Sequence, residues 1–197
     1  MAVTFVWFMG PFGMFTFVGE FFQSSYGLDT TQVGFVFMVL GLIGVISART
    51  SGRFTATIGA RRAVMLGIAC FGVAVSILPS TPPHLAVSLL VFALWVLGTW
   101  FGLPAQQSIA AGLNARARGT IMAFNSSALN LAAVFSPAIA GTVYAAGDFR
   151  LLGTWTAGLA AIAFVVAYAL LPRARPAGAP APVVVAVEDC VAECAPV

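Results

Sequence analysis

The stretch LAVSLLVFALWVLGTWFGLPAQQSIAA, residues 85–111, runs for twenty-seven residues without a single charge. A helix needs about 20 mostly apolar residues to cross a hydrocarbon core about 30 Å thick, so this segment is long enough to span a membrane. Pro104 lies inside it and predicts a kink, because proline removes a backbone hydrogen bond. Working outward, five further stretches pass the same test, at about 2–24, 31–48, 62–78, 119–145 and 151–171. Turn-rich connectors separate them at 24–27, 79–83 and 146–148. The runs are too long for strands and lack the alternation of a membrane barrel. The expected fold class is an all-α membrane protein, a six-transmembrane-helix bundle over residues 1–172.

Composition agrees. Hydrophobic residues make up 60% of the chain and charged residues 8%, against about 25% charged in a soluble domain. Mean hydropathy is +1.01, so most of the surface must face the lipid bilayer rather than water. The first span lacks a charged leader region and contains Glu20, so it reads as a spanning helix and not as a secretion signal. All nine basic residues are arginines. Eight of them (Arg49, Arg53, Arg61, Arg62, Arg116, Arg118, Arg173 and Arg175) fall on one side if the helices alternate, and Arg150 alone falls on the other. Positive residues stay cytoplasmic, which predicts both termini inside, in the cell (plasma or inner) membrane. So small and scattered an excess of charge does not suit nucleic acid.

Beyond Pro172, the Pro- and Ala-rich stretch 173–197 ends in Glu188, Asp189 and Glu193 and lacks a pattern for a packed core; it reads as a flexible cytosolic tail. Cys190 and Cys194 lie there, far from Cys70 and from the single histidine, His84. This spacing does not make a metal site, and no cofactor is expected.

Lipid gives helices no hydrophobic reason to associate, so small residues must let backbones meet. Such stripes recur at helical spacing: Gly34, Gly41 and Ala48; Ala63, Gly67, Cys70 and Ala74; Gly98 and Gly102. A fifth-helix stripe of Ser126, Asn130, Ala133, Pro137 and Gly141 adds polar groups and a helix breaker, which suits a helix that bends or faces water. No motif for nucleophilic, metal-assisted or phosphoryl chemistry is present, so no enzyme is expected. Glu20 is the only acidic residue within a predicted helix. It either reaches the interface from its place near the outer helix end or faces a polar cavity and exchanges a proton.

The connector after the second span carries Ser51-Gly52-Arg53-Phe54 and Ile58-Gly59-Ala60-Arg61-Arg62. This pattern resembles the loop signature of the major facilitator superfamily, found between the second and third helices of each six-helix half. Downstream, Ala115 to Thr120, Asn125-Ser126-Ser127 and Ser136-Pro137 before Gly141 look like helices ten to eleven of that family, most similar to drug–proton antiporters and related exporters. The family's loop usually carries an aspartate where Ala56 stands. The resemblance covers residues 1–172 and implies a C-terminal half of such a transporter.

By position, it makes Glu20 and Met14 on the first helix, and Trp95, Trp100 and Gln106 on the fourth, candidates for the substrate cavity. Asn125 and Asn130 become candidates for the cavity or seam, and Gly52, Arg53, Gly59, Arg61 and Arg62 for the loop signature. The implied partners are a small-molecule substrate, protons, and a second wall supplied by a missing N-terminal half, a partner subunit or a second copy. The implied function is proton-coupled efflux of a small organic molecule by alternating access; the alternative is a non-transporting membrane fragment or scaffold protein. The charge pattern makes a direct prediction. In a cysteine-free background, cysteines placed at Asp29 and Asp148 should react with a membrane-impermeant thiol reagent from outside sealed cells. Cysteines beside Arg61 and Arg116 should stay unlabelled until the membrane is opened.

Overall fold

The computed structural model describes residues 1–80, 84–114 and 116–171; the predicted tail, with Arg173, Arg175, Cys190 and Cys194, lies outside the described residues. Five helices carry the chain: α1 (Ala2–Tyr26), α2 (Thr30–Ile58), α3 (Ala60–Ile77), α4 (Leu85–Gly112) and α5 (Arg118–Leu170). All five are long and apolar enough to cross a membrane. No strand occurs among the described residues.

α5 holds 53 residues, and a straight helix of that length would reach about 80 Å, far beyond a bilayer core. It turns back instead. Gly147 (φ −168°, ψ 32°) and Asp148 (φ 59°, ψ −167°) leave helical geometry, and the two arms run past α1 in opposite directions. On the first arm, Asn125 meets Thr4 and Tyr144 stacks on Phe17. On the second, Phe149 stacks on Phe21 and Thr156 lies beside Gly10. Leu170 and Leu171 then return to Met1, Ala2 and Val3. α5 therefore supplies the fifth and sixth crossings as one segment with a sharp corner.

α1 stops at Gly27, whose φ of 65° closes the helix with a bond from its N–H to the Gln23 carbonyl. α2 starts at Asp29, where the Gln32 side chain accepts the Asp29 backbone N–H at 3.0 Å. The second span was expected to end near Ala48, with Gly52 and Arg53 in a loop. The structure differs: α2 continues to Ile58, and both residues sit on the helix. An interior glycine costs a helix only about 1 kcal/mol, too little to end one already propagating. The stop is Gly59, with φ 87° and ψ 144°, a conformation that side chains resist. At 29 residues, α2 is about 44 Å long, so its last turns carry Arg49 and Arg53 past the apolar core.

α3 and α4 run antiparallel in close contact. A Cβ on Gly67 would sit 2.7 Å from the Gly98 carbonyl oxygen and 2.9 Å from the Gly102 Cα. α2 lies parallel to α4, where Ser47 donates to the Leu97 carbonyl at 3.0 Å and Ser51 to that of Phe101. The glycine serving this contact is Gly44, under the Trp100 ring. Gly34 and Gly41, expected to pack, meet nothing within 4 Å. The α5 stripe is likewise displaced by one residue: Asn125, Ala132, Ser136 and Ala140 face α1 and the core, while Ser126 and Asn130 are exposed.

The six described arginines other than Arg150 gather at one end of the bundle, on the last turns of α2, the first turn of α3, and the α4–α5 connector with the start of α5; Arg150 lies at the other, beside Asp148. Gly67→Val should force α3 and α4 apart and destabilise the protein by about 1–3 kcal/mol, the usual cost of overpacking. Thermal unfolding in detergent should show this as a lowered midpoint, while Gly41→Val leaves it unchanged.

A buried polar junction and an exposed polar stripe

Near the arginine-bearing end, three helices meet around a small polar cluster. Thr4 comes from the first turn of α1, Gln106 from α4 just after Pro104, and Asn125 from the second turn of α5. The Thr4 hydroxyl donates to Asn125 Oδ1 at 2.7 Å. Gln106 Nε2 donates to Thr4 Oγ1 at 2.5 Å and to Asn125 Oδ1 at 3.1 Å. All three side chains are buried, and Gln106 Oε1 has no partner among the described residues. A cavity of about 120 Å³ adjoins them, walled by Val3, Gln106, Ile109, Ala110, Leu113 and Leu171. Asn125 Oδ1 accepts twice, so it ties α1 and α4 to α5. In an apolar bundle such a node fixes helix register, because slipping any helix strands a buried polar group.

The remaining candidates divide between core and surface. Met14 is fully buried. Trp95 is 3% exposed and packs edge-on against Phe92 with ring centres 4.4 Å apart. Both face the interior of this six-crossing unit rather than an open wall. Trp100 is 46% exposed and covers Gly44 on the α2 side. Glu20 and Asn130 are exposed. The seven positions carried over by resemblance therefore do not converge on one site. Gln106 and Asn125 meet each other directly and share Thr4, which sequence reasoning missed. A threonine in the first turn of an apolar helix gives no signal that separates a cross-helix bond from one to its own backbone.

Glu20 belongs instead to a stripe on α1 with Phe15, Thr16 and Gln23, all exposed. α5, beside α1, exposes Ser126, Ser127 and Asn130. Thr16 lies about 15 Å from the end of α1, and Asn130 about 18 Å from the start of α5, at 1.5 Å per residue. Both depths fall within the hydrocarbon core.

At the loop signature, Gly59 makes the turn and Arg61 makes the contact. Arg61 Nη2 donates to the Tyr168 carbonyl at 2.7 Å, and its guanidinium lies 5.1 Å from the centre of the Tyr168 ring. This fastens the start of α3 to the last turn of α5, where a cation also meets the negative end of the helix. Arg53 and Arg62 are exposed. None of these arginines is held by a carboxylate among the described residues, in keeping with Ala56 at the position where the family usually carries aspartate.

The model of the Major Facilitator Superfamily matches residues 1–186. The chain belongs to that superfamily. Among its relatives are two uncharacterized MFS-type transporters of Bacillus subtilis. YwfA is 26% identical over 166 residues, covering 84% of this chain and 40% of the relative. YceJ is 26% identical over 162 residues, covering 82% and 40%. The chain thus spans about 40% of the length of these major facilitator relatives. The superfamily is one of membrane transporters, and all five described helices are long and apolar enough to cross a membrane.

The polar junction can be tested by cutting and by replacing it. Asn125→Ala should cost about 1–3 kcal/mol, because it leaves Thr4 and Gln106 buried without their shared acceptor. The triple change Thr4→Val, Gln106→Leu, Asn125→Leu should recover most of that loss in thermal unfolding, since it removes every stranded polar group at similar volume.

Proposed function

We propose that this chain forms one wall of an alternating-access transporter and works only when a second six-helix wall covers it. The carrying observation is the exposed polar stripe on α1 and α5. Glu20 and Asn130 lie within membrane-spanning helices and are accessible, which lipid would penalise; Thr16, on the same stripe, bonds the Phe12 carbonyl. A water-filled cavity between two walls removes that cost. The same reading accounts for α2, whose Phe35, Met38, Leu42 and Val45 are all more than half exposed, as an apolar seam beside the cavity. A missing N-terminal half, a partner subunit or a second copy would close it.

The transported species is a small organic molecule, moved outward in exchange for protons that enter down their gradient. Glu20 is the titratable group on the exposed stripe, and it is the coupling residue in this reading. Trp100 and Asn130 complete the accessible surface, while Gln106 and Asn125 hold the helix ends from within. Both termini lie in the cytoplasm, supported by the arginines gathered at the end that holds Met1 and Leu171.

In a reconstituted complete unit, Glu20→Gln should abolish uphill, gradient-driven transport and leave downhill substrate exchange within about twofold of the unmodified protein, because it preserves shape while removing the proton site. Gradient-driven accumulation that survives the substitution would assign coupling to the other wall.

A further inference from the structure

On the outward side of α3 and the returning arm of α5, two cavities run into one another. The first, about 360 Å³, lies at the Asp148 end, and its lining includes Ser76, Pro79, Arg150 and Thr154. The second, about 530 Å³, shares Ser76 and Ala157 with it and extends to Ile68 on α3 and Val165 on α5. Its walls are apolar, with Gly72, Val73 and Ala161 among them. The furrow has a packing cause. A Cβ on Gly72 would lie 3.2 Å from that of Ala160, so small residues draw the two helices together and leave a trough between the larger flanking side chains.

Its dimensions fit one leaflet. From Ile68 to Ile77, α3 rises about 14 Å, close to half of the roughly 30 Å hydrocarbon core. The polar end holds one cation. Ser76 and Thr154 spend their hydroxyl protons on the carbonyls of Gly72 and Leu151, at 2.7 and 2.8 Å. The Arg150 guanidinium makes no hydrogen bond or ion pair among the described residues, although Arg150 and Asp148 both line a neighbouring cavity beside Phe21 and Tyr144. An apolar trough one leaflet long, ended by a free arginine at headgroup depth, has the polarity pattern of a phospholipid.

We infer that this furrow binds one membrane phospholipid, its phosphate on Arg150 and one acyl chain laid between α3 and α5 toward the midplane. A guanidinium fork holds a phosphate through two parallel N–H donors. The trough offers the acyl chain two helix walls in place of mobile neighbours. A transmembrane helix of another protein would fill the trough but leave the arginine unpaired, so charge complementarity favours the lipid.

The test uses the full chain in phosphatidylglycerol vesicles containing a phosphatidylglycerol with a diazirine midway along one acyl chain. Photolysis and peptide mapping should place adducts on residues 68–77 and 157–165 about fivefold above those on the exposed face of α2, the ratio that roughly 1 kcal/mol per arginine gives. Arg150→Gln should reduce furrow labelling to the α2 level. Ala161→Phe, at an exposed position, should do the same by filling the trough, while Arg118→Gln at the opposite end should change nothing. A diacylglycerol carrying the same diazirine but no phosphate should not prefer the furrow. Labelling of furrow and α2 alike in the unmodified protein overturns the site. Loss with Ala161→Phe but not Arg150→Gln overturns the phosphate assignment.

Discussion

Two helices in lipid gain nothing from hiding apolar side chains from each other, because the lipid tails are equally apolar; what they gain is close contact. In this protein that contact is made where Gly67, Gly98 and Gly102 let the backbones of α3 and α4 meet. The same point supports α1, because the Trp7 ring lies over Gly102 and needs the space that a side chain would take. α2 repeats the solution with Gly44 under Trp100, and the second arm of α5 repeats it with Gly153 against Pro79. The aromatic core of Phe22, Phe71, Phe92 and Trp95 fills what the close approaches leave open.

Polar groups sort into two populations with opposite physical demands. Several inside the unit are tied across helices: Thr4, Gln106 and Asn125 to one another, Ser47 and Ser51 to α4 carbonyls, Ser136 to the Met9 carbonyl, and Tyr26 to Ser88. They stiffen the bundle. Those on α1 and the first arm of α5 that remain exposed have no partner on another helix, and in the proposed function they face the space between two walls. A rigid wall with a wettable face is what a rocking transport mechanism requires of each half. The membership of the Major Facilitator Superfamily rests on the family match and stands independently of that reading.

The outer face of α3 and the returning arm is a different surface again. It exposes Val73, Ile77 and Val165 and no polar stripe, so it suits lipid rather than a protein wall. The corner at Gly147–Asp148 brings Arg150 to the head of this face, where a single cation meets a trough with apolar walls.

The sequence by itself determined that the chain spans a membrane, where its apolar segments lie, and which connectors carry the arginines. Length, hydropathy and charge are local properties, and each segment of about 20 residues reports them without reference to its neighbours. The loop pattern from Gly52 to Arg62 likewise pointed to the superfamily. Other features depended on what each helix touches. The α2 glycine that packs is Gly44 and not Gly34 or Gly41, and the packing face of α5 begins at Asn125 and not Ser126. Nothing in an all-apolar helix distinguishes its faces, since a hydrophobic side chain is equally content against lipid or protein. Only the tertiary structure decided that Met14 and Trp95 are core, that Thr4 completes a polar junction, and that Glu20 stands exposed, because those outcomes follow from which helix lies alongside.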